Sequence, residues 1–277
     1  MPQRDVGSRL AGRAQMSCEA LIFDVDGTLA DTEEVHRQAF NLAFGACRLD
    51  WIWDAALYGE LLEVTGGKER IASYIDRLQL PATERRSLND LIPEIHRTKT
   101  RLYRELIQVG HVRPRAGVRR LLMEARDAGI RVAIATTTSP ENLEPLIAAG
   151  FGGQAMSWFA AIAAGDVVAN KKPAPDIYNV ALKSLGVDPA CAIAIEDSVI
   201  GVTSAKAAGL FTVATPSMWT HHQDFAAADL LLSSLGDPAE PLDPADEKRL
   251  GAKYLSFSRL TALHAAAQTG VIHAQAQ

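Results

Sequence analysis

The chain has 277 residues, 48% of them hydrophobic and 6% aromatic, enough for one large domain or two modest ones with an Ala-rich, partly helical interior. A formal net charge of -5 excludes a broad basic surface for nucleic acid but leaves room for a local cationic pocket that takes phosphate. Three scattered cysteines, Cys18, Cys47 and Cys191, without C-x-x-C spacing, read as thiols of a reducing cytosol, and no apolar run reaches membrane-span length, so a cytoplasmic protein with no membrane partner is expected.

Residues 1–17 carry Arg4, Arg9 and Arg13 but no apolar core segment, so they are not a secretory signal and read as a disordered extension. Five short apolar runs without alternation predict buried parallel strands: Ala20–Phe23, Val132–Ala135, Phe159–Ala163, Ala192–Ile195 and Thr212–Ala214. The stretch between the first two is far longer than a crossover helix needs. Four of its segments have helical spacing, Glu34–Ala46, Asp54–Leu62, Lys68–Leu78 and Thr83–Gln108, which predicts a small helical cap over 34–110, above the strand ends where α/β ligands bind. Gly117–Ala128, Asn142–Ala149, Ile177–Leu185 and Ser198–Ala208 read as helices alternating with the strands. A doubly wound parallel α/β core over 18–33 and 111–237 follows. Residues 238–277, Pro-rich and then weakly helical over Ser258–Ala267, read as a peripheral strap.

Buried carboxylates are costly unless they bind metal, are paired or do chemistry. The first strand runs into Asp24 and Asp26, followed by Gly27-Thr28, and the fourth ends in Glu196 and Asp197. Neighbouring parallel strands would bring these acids together, and such a set of hard oxygens suits Mg²⁺. The second strand ends in Thr136, Thr137, Thr138 and Ser139 before a helix start, which alone is no more than a cap but can cradle an oxyanion. Lys171 and Lys172 stand in a loop before another helix, where a lone lysine is usually solvated; beside the carboxylates, Lys172 is a candidate to neutralise an anion.

These motifs, DVDGT, Thr136, Lys172 in KKPAPDIY and EDS, occur in the order of the four motifs of the haloacid dehalogenase (HAD) superfamily, which the chain resembles from Ala20 to about Leu235. The insert is placed like the type-1 helical cap of the beta-phosphoglucomutase-like subgroup. DGTLADTEEVHRQAFN, TGGKER, EIHRTKT and ATTTSPEN look most like the sugar-bisphosphate phosphatases of Calvin-cycle bacteria and plastids. The resemblance implies a Rossmann-like core, an aspartyl-phosphate formed on Asp24, and Asp26 as the acid that protonates the leaving oxygen and then activates water. It implies Mg²⁺ held by Asp24, Asp197 and the main-chain carbonyl of Asp26, with Glu196 behind them or acting through water, and phosphate held by Thr136, Thr137 and Lys172. Glu33 is expected near sugar hydroxyls; His36, three residues on along the same helical face, is expected at the entrance or as no more than a partner of Glu33. Gly66, Gly67, Lys68, Arg70, Arg97 and Lys99 of the cap, with Thr138 and Ser139 at the entrance, are expected around the substrate. From spacing alone, Arg97 and Lys99 would be a solvated helix face; the resemblance makes them, with Lys68, grips for a second phosphate. The implied substrate is a small phosphorylated sugar, xylulose-1,5-bisphosphate, hydrolysed to xylulose 5-phosphate by a monomer, which removes a Rubisco inhibitor.

A hexose-phosphate mutase of the same subgroup shares the nucleophile and the acid and is the nearest alternative. A carbon–halogen hydrolase is disfavoured, because it has no use for Asp26. A receiver-like signalling module also phosphorylates an aspartate but needs no cap. No G-x-G-x-x-G follows a strand, which disfavours a dinucleotide enzyme. His221 and His222 are adjacent and point apart, so they read as surface loop rather than a metal pair.

Overall fold

The structure, a computed structural model, describes residues 18–110 and 112–269; the extension expected over 1–17 lies outside them. Six parallel strands form one sheet in the order β3-β2-β1-β4-β5-β6. They are β1 (Ala20–Phe23), β2 (Arg131–Thr136), β3 (Ala161–Ala164), β4 (Ala192–Glu196), β5 (Phe211–Ala214) and β6 (Leu230–Leu231). All five expected runs are strands, the third displaced by a 3-10 turn at Ala155–Trp158; β6 is too short for an apolar run to announce it. Pleating sends Leu21 and Phe23 of β1 into one apolar layer and Ala20 and Ile22 into the other. The second layer is paved by Ala133, Ala135, Ala161, Ala163, Ala192 and Ala194 under α7 (Asp176–Leu185) and α8 (Val199–Ala207). Strand order reverses at the β1–β4 pair, where crossovers depart to opposite sides and leave a crevice at the carboxyl ends.

The long insert forms α1 (Glu33–Ala46), α2 (Ala55–Leu61), α3 (Gly67–Arg77) and α4 (Ala82–Val109). Phe40, Ala43 and Phe44 of α1, at helical spacing, join Trp53, Tyr58, Ile71 and Ile95 in an apolar cluster of their own. The 28 residues of α4 span about 42 Å. Ile95 belongs to the insert's cluster, whereas Tyr103 and Ile107 belong to the α/β core, so one continuous helix serves both. The core continues through α5 (Val118–Asp127) and α6 (Pro140–Phe151), and the tail adds α9 (Pro244–Leu250) and α10 (Phe257–Gln268). α9 is unforeseen because it is short and polar; Asp243 caps it, and Leu250 is the apolar side chain it buries. Arg120 of α5 fastens the tail by donating to the carbonyls of Leu235, Gly236 and Leu255, with its guanidinium 4.4 Å from the Tyr254 ring. No described helix is long and apolar enough to cross a membrane.

Candidate active site

At the switch point β1 delivers Asp24 and β4 delivers Glu196 and Asp197. All three are buried, and one carboxylate oxygen from each lies within 4.8 Å of the others. Lys172, on the loop before α7, donates to Asp24 Oδ1 and Glu196 Oε1 at 2.6 Å each. The Tyr178 hydroxyl donates to the same Glu196 oxygen at 2.6 Å, while Glu196 Oε2 is buried without a partner. Burial works against the Lys172 charge, but Asp24 and Glu196 keep the ammonium protonated. Burial pushes the Asp24 carboxyl up to about 7 against the pull of Lys172, and raises Asp197 as well, with Glu33 and Asp24 adding repulsion. Three buried acids around one ammonium are short of positive charge. With an orphaned carboxylate oxygen among them, the donor set fits a hard divalent cation.

The DVDGT turn wraps this cluster. Gly27 takes φ +78, and a Cβ there would lie 2.2 Å from Asp197 Oδ2, so only glycine lets the turn approach the acid. Arg115, which no sequence pattern singles out, donates to the carbonyls of Gly27, Thr215 and Pro216 and pins the turn to the end of β5. Thr220 donates to the Asp197 carbonyl at 2.6 Å.

Asp26 has a separate set of partners. Thr32 donates to its Oδ1 at 2.5 Å, His36 Nε2 lies 2.9 Å from the same oxygen, and Thr138 donates to Oδ2. Thr32 stands at the N-cap of α1 yet makes no cap bond, because its hydroxyl is turned to Asp26. Burial opposes the Asp26 charge, but these donors outweigh it and hold the carboxyl below its usual range. Lys99 Nζ lies 2.5 Å from His36 Nδ1, and the imidazole is stacked on Tyr103 at 4.0 Å. Burial and the adjacent Lys99 pull His36 down to about 4, so at neutral pH its Nε2–H reaches Asp26 as a neutral donor. Burial lowers Lys99 to about 7.

A cavity of about 140 Å³ joins the two carboxylates. Of the expected residues, Asp24, Asp26, Asp197, Thr136, Thr137, Thr138, Ser139, Lys172, Glu33, His36, Gly66, Gly67, Arg70 and Lys99 line it, and Glu196 sits behind Lys172. Burial, then the nearby Asp26, raises Glu33 to about 8, leaving a neutral carboxyl toward the cavity. Lys68 and Arg97 are elsewhere: both line a neighbouring groove, and Lys68 pairs with Asp166 at 2.7 Å. Arg97 and Lys99, two residues apart on α4, therefore point to different faces. The wall also contains residues the sequence did not single out: His96, Asn142, Thr220 and Gln223. His96 and Asn142 stand inside EIHRTKT and ATTTSPEN, the signal that could have found them; Thr220 and Gln223 had none.

Residues 18–209 match the family of haloacid dehalogenase-like hydrolases. Protein CbbY of Cereibacter sphaeroides is 49% identical over 224 residues, 79% of this chain and 93% of that protein. Beta-phosphoglucomutase of Bacillus subtilis is 30% identical over 79% of this chain and 91% of its own length. Among solved structures, a mutant of CbbY from Rhodobacter sphaeroides in complex with xylulose-(1,5)bisphosphate is similar at a TM-score of 0.73 and 50% identity, covering 80% of this chain and 98% of that one.

Proposed function

The chain belongs to the haloacid dehalogenase-like hydrolases and is one of their phosphatases, and from that premise we propose that it is a Mg²⁺-dependent sugar-bisphosphate phosphatase that converts xylulose-1,5-bisphosphate to xylulose 5-phosphate. The observation that carries the reading is the separation of two carboxylates two residues apart: Lys172 binds Asp24, whereas Thr32, His36 and Thr138 bind Asp26. That arrangement supports different roles for the pair.

Asp24 attacks phosphorus, the bond from phosphorus to the sugar oxygen breaks, and Asp26 delivers a proton to that oxygen. Three donors keep Asp26 ionised in the free enzyme, and a dianionic phosphoryl group beside it favours the protonated form the first step needs. Asp26 then takes a proton from water, whose oxygen attacks phosphorus and expels Asp24 as a carboxylate with release of inorganic phosphate. Lys172, Thr136 and Thr137 hold the phosphoryl oxygens. Bound Mg²⁺ supplies positive charge against the phosphoryl group; Asp24, Asp197 and the main-chain carbonyl of Asp26 would hold it. Arg70, which lines the cavity and donates to the Leu61 and Val64 carbonyls, receives the second phosphate, and Glu33 the sugar hydroxyls.

The test is phosphate release with Mg²⁺ from xylulose-1,5-bisphosphate, ribulose-1,5-bisphosphate, fructose-1,6-bisphosphate and glucose 1-phosphate. The first should give the highest kcat/KM. Isomerisation of glucose 1-phosphate without phosphate release would replace this reading with a mutase.

A further inference from the structure

A second cluster of charge spans the seam between the helical insert and the sheet. Lys68 and Glu69 lie in the first turn of α3, and Asp166 and Lys171 lie on the segment that follows β3. Lys68 Nζ is 2.7 Å from Asp166 Oδ2, Lys171 Nζ is 2.9 Å from Asp166 Oδ1, and the same Nζ is 2.8 Å from Glu69 Oε1. The four charges alternate in one row, Lys68–Asp166–Lys171–Glu69. Lys171 is its centre, with a side chain 14% exposed against 45% for Lys68 and Glu69. Gly66 lies directly beneath. It takes φ +93, and a Cβ there would stand 2.2 Å from Glu69 Oε2 and 2.9 Å from Lys171 Nζ. Lys171 immediately precedes Lys172, whose ammonium holds Asp24.

We propose that this row is an ionic latch that docks the Gly66–Gly67 wall of the cavity onto the core, with Lys171 as a positioning residue and Lys68 as a latch residue rather than a phosphate grip. Two neighbouring lysines then index the two sides of the cavity to each other: Lys172 fixes the reacting carboxylate and Lys171 fixes the wall of the insert facing it. Solvated ion pairs are individually weak, so the latch yields at low cost, as a wall that must admit substrate on each turnover requires. Arg70, three residues beyond Gly67, is carried into place by the same docking.

The inference rests on the sugar-bisphosphate reading only for its kinetic arm. In the full chain, Glu69→Gln, Lys171→Met and the double variant form a cycle. Its first readout is amide hydrogen exchange over residues 66–70 without substrate. Each single change should speed exchange about fivefold, and the double variant no more than either single. Raising NaCl should speed exchange in the unaltered protein more than in the double variant, where Lys68–Asp166 is the pair left to screen. The kinetic arm should show a KM for xylulose-1,5-bisphosphate raised severalfold, with kcat on p-nitrophenyl phosphate unchanged in Glu69→Gln. Additive effects of the two changes, or exchange insensitive to both salt and substitution, would overturn the latch. If xylulose-1,5-bisphosphate is not hydrolysed at all, the functional reading fails and the exchange cycle still decides the latch. Should Lys171→Met not fold, Lys68→Met paired with Asp166→Asn carries the same cycle on the other ion pair across the seam.

Discussion

Three donors meet Asp26 from different elements: Thr32 and His36 from the start of α1 and Thr138 from the end of β2. Behind His36 stands Lys99, which completes a line from α4 to the carboxylate. Asp26→Asn keeps one oxygen that can accept from Thr32 and His36, sets an amide N–H against Thr138 in place of the second, and spares Asp24 and Lys172. Asp26→Asn should therefore keep substrate binding and lower turnover roughly 10²–10⁴-fold, the usual worth of a positioned acid–base. Steady-state kinetics separates this from a binding role, which would appear as a raised KM at normal kcat. The line from Lys99 makes a second expectation. Three causes pull His36 down to about 4: burial first, then Lys99, then Arg70. Lys99→Met should raise the His36 value toward, but not to, that of an exposed imidazole, as read by NMR titration of the ring protons. An unchanged value would mean that Lys99 plays no part in setting it.

Helix faces decide which cations of the insert meet the substrate. Lys68 and Arg70 are two residues apart on α3, and Arg97 and Lys99 two apart on α4; residues so spaced do not share a face. The structure turns Arg70 and Lys99 to the cavity and Lys68 and Arg97 to the neighbouring groove. Arg70→Ala should thus cost about ten- to a hundredfold in affinity for the bisphosphate, the worth of a charge-assisted contact, while Arg97→Ala changes it little. Both should leave p-nitrophenyl phosphate hydrolysis nearly intact, and equal losses from the two arginines on the bisphosphate would refute the assignment by face. The sequence brought all four residues into view but could not say which way each points, because the answer depends on where α3 begins and how α4 is rotated. The strands were legible because a parallel sheet buried on both faces needs unbroken apolar runs, so acids at their ends stand out. Arg115 and Thr220 were not, since each meets its partner across a large sequence separation: Arg115 reaches Gly27 from 88 residues away, and no local pattern encodes such a contact.

On the scale of the whole molecule, the cost of assembling the site should be readable as stability. Asp24 at about 7 and Glu33 at about 8 are raised above their ordinary values, and Asp197 is raised too, so in the metal-free protein each is better tolerated with its proton on. A carboxyl whose folded value is raised contributes stability that is complete below its unfolded value and is lost as pH rises through the folded one. Lowering pH from 8 to 6.5 should therefore stabilise the metal-free protein through these three acids. Lys99, lowered to about 7, opposes them over the upper part of that window, as one group against three. Below about 6.5 two histidines begin to oppose the same three acids, and the gain flattens. His36 and His96, both near 4, must then stay neutral in the fold while the unfolded chain takes up protons. Under the proposed function, Mg²⁺ would act on the same carboxylates from the other side, binding Asp24 and Asp197 in their charged forms in competition with their protons. A site filled to a hundred times its Kd would add about 2.7 kcal/mol. The gain in Tm on replacing EDTA with Mg²⁺ should accordingly be larger at pH 8 than at pH 6.5, and Asp197→Asn should shrink it at both. Differential scanning calorimetry in the two buffers makes the comparison. A gain that is absent, or the same at both pH values, would separate the acidic cluster from the metal and leave its raised carboxyls as proton carriers alone.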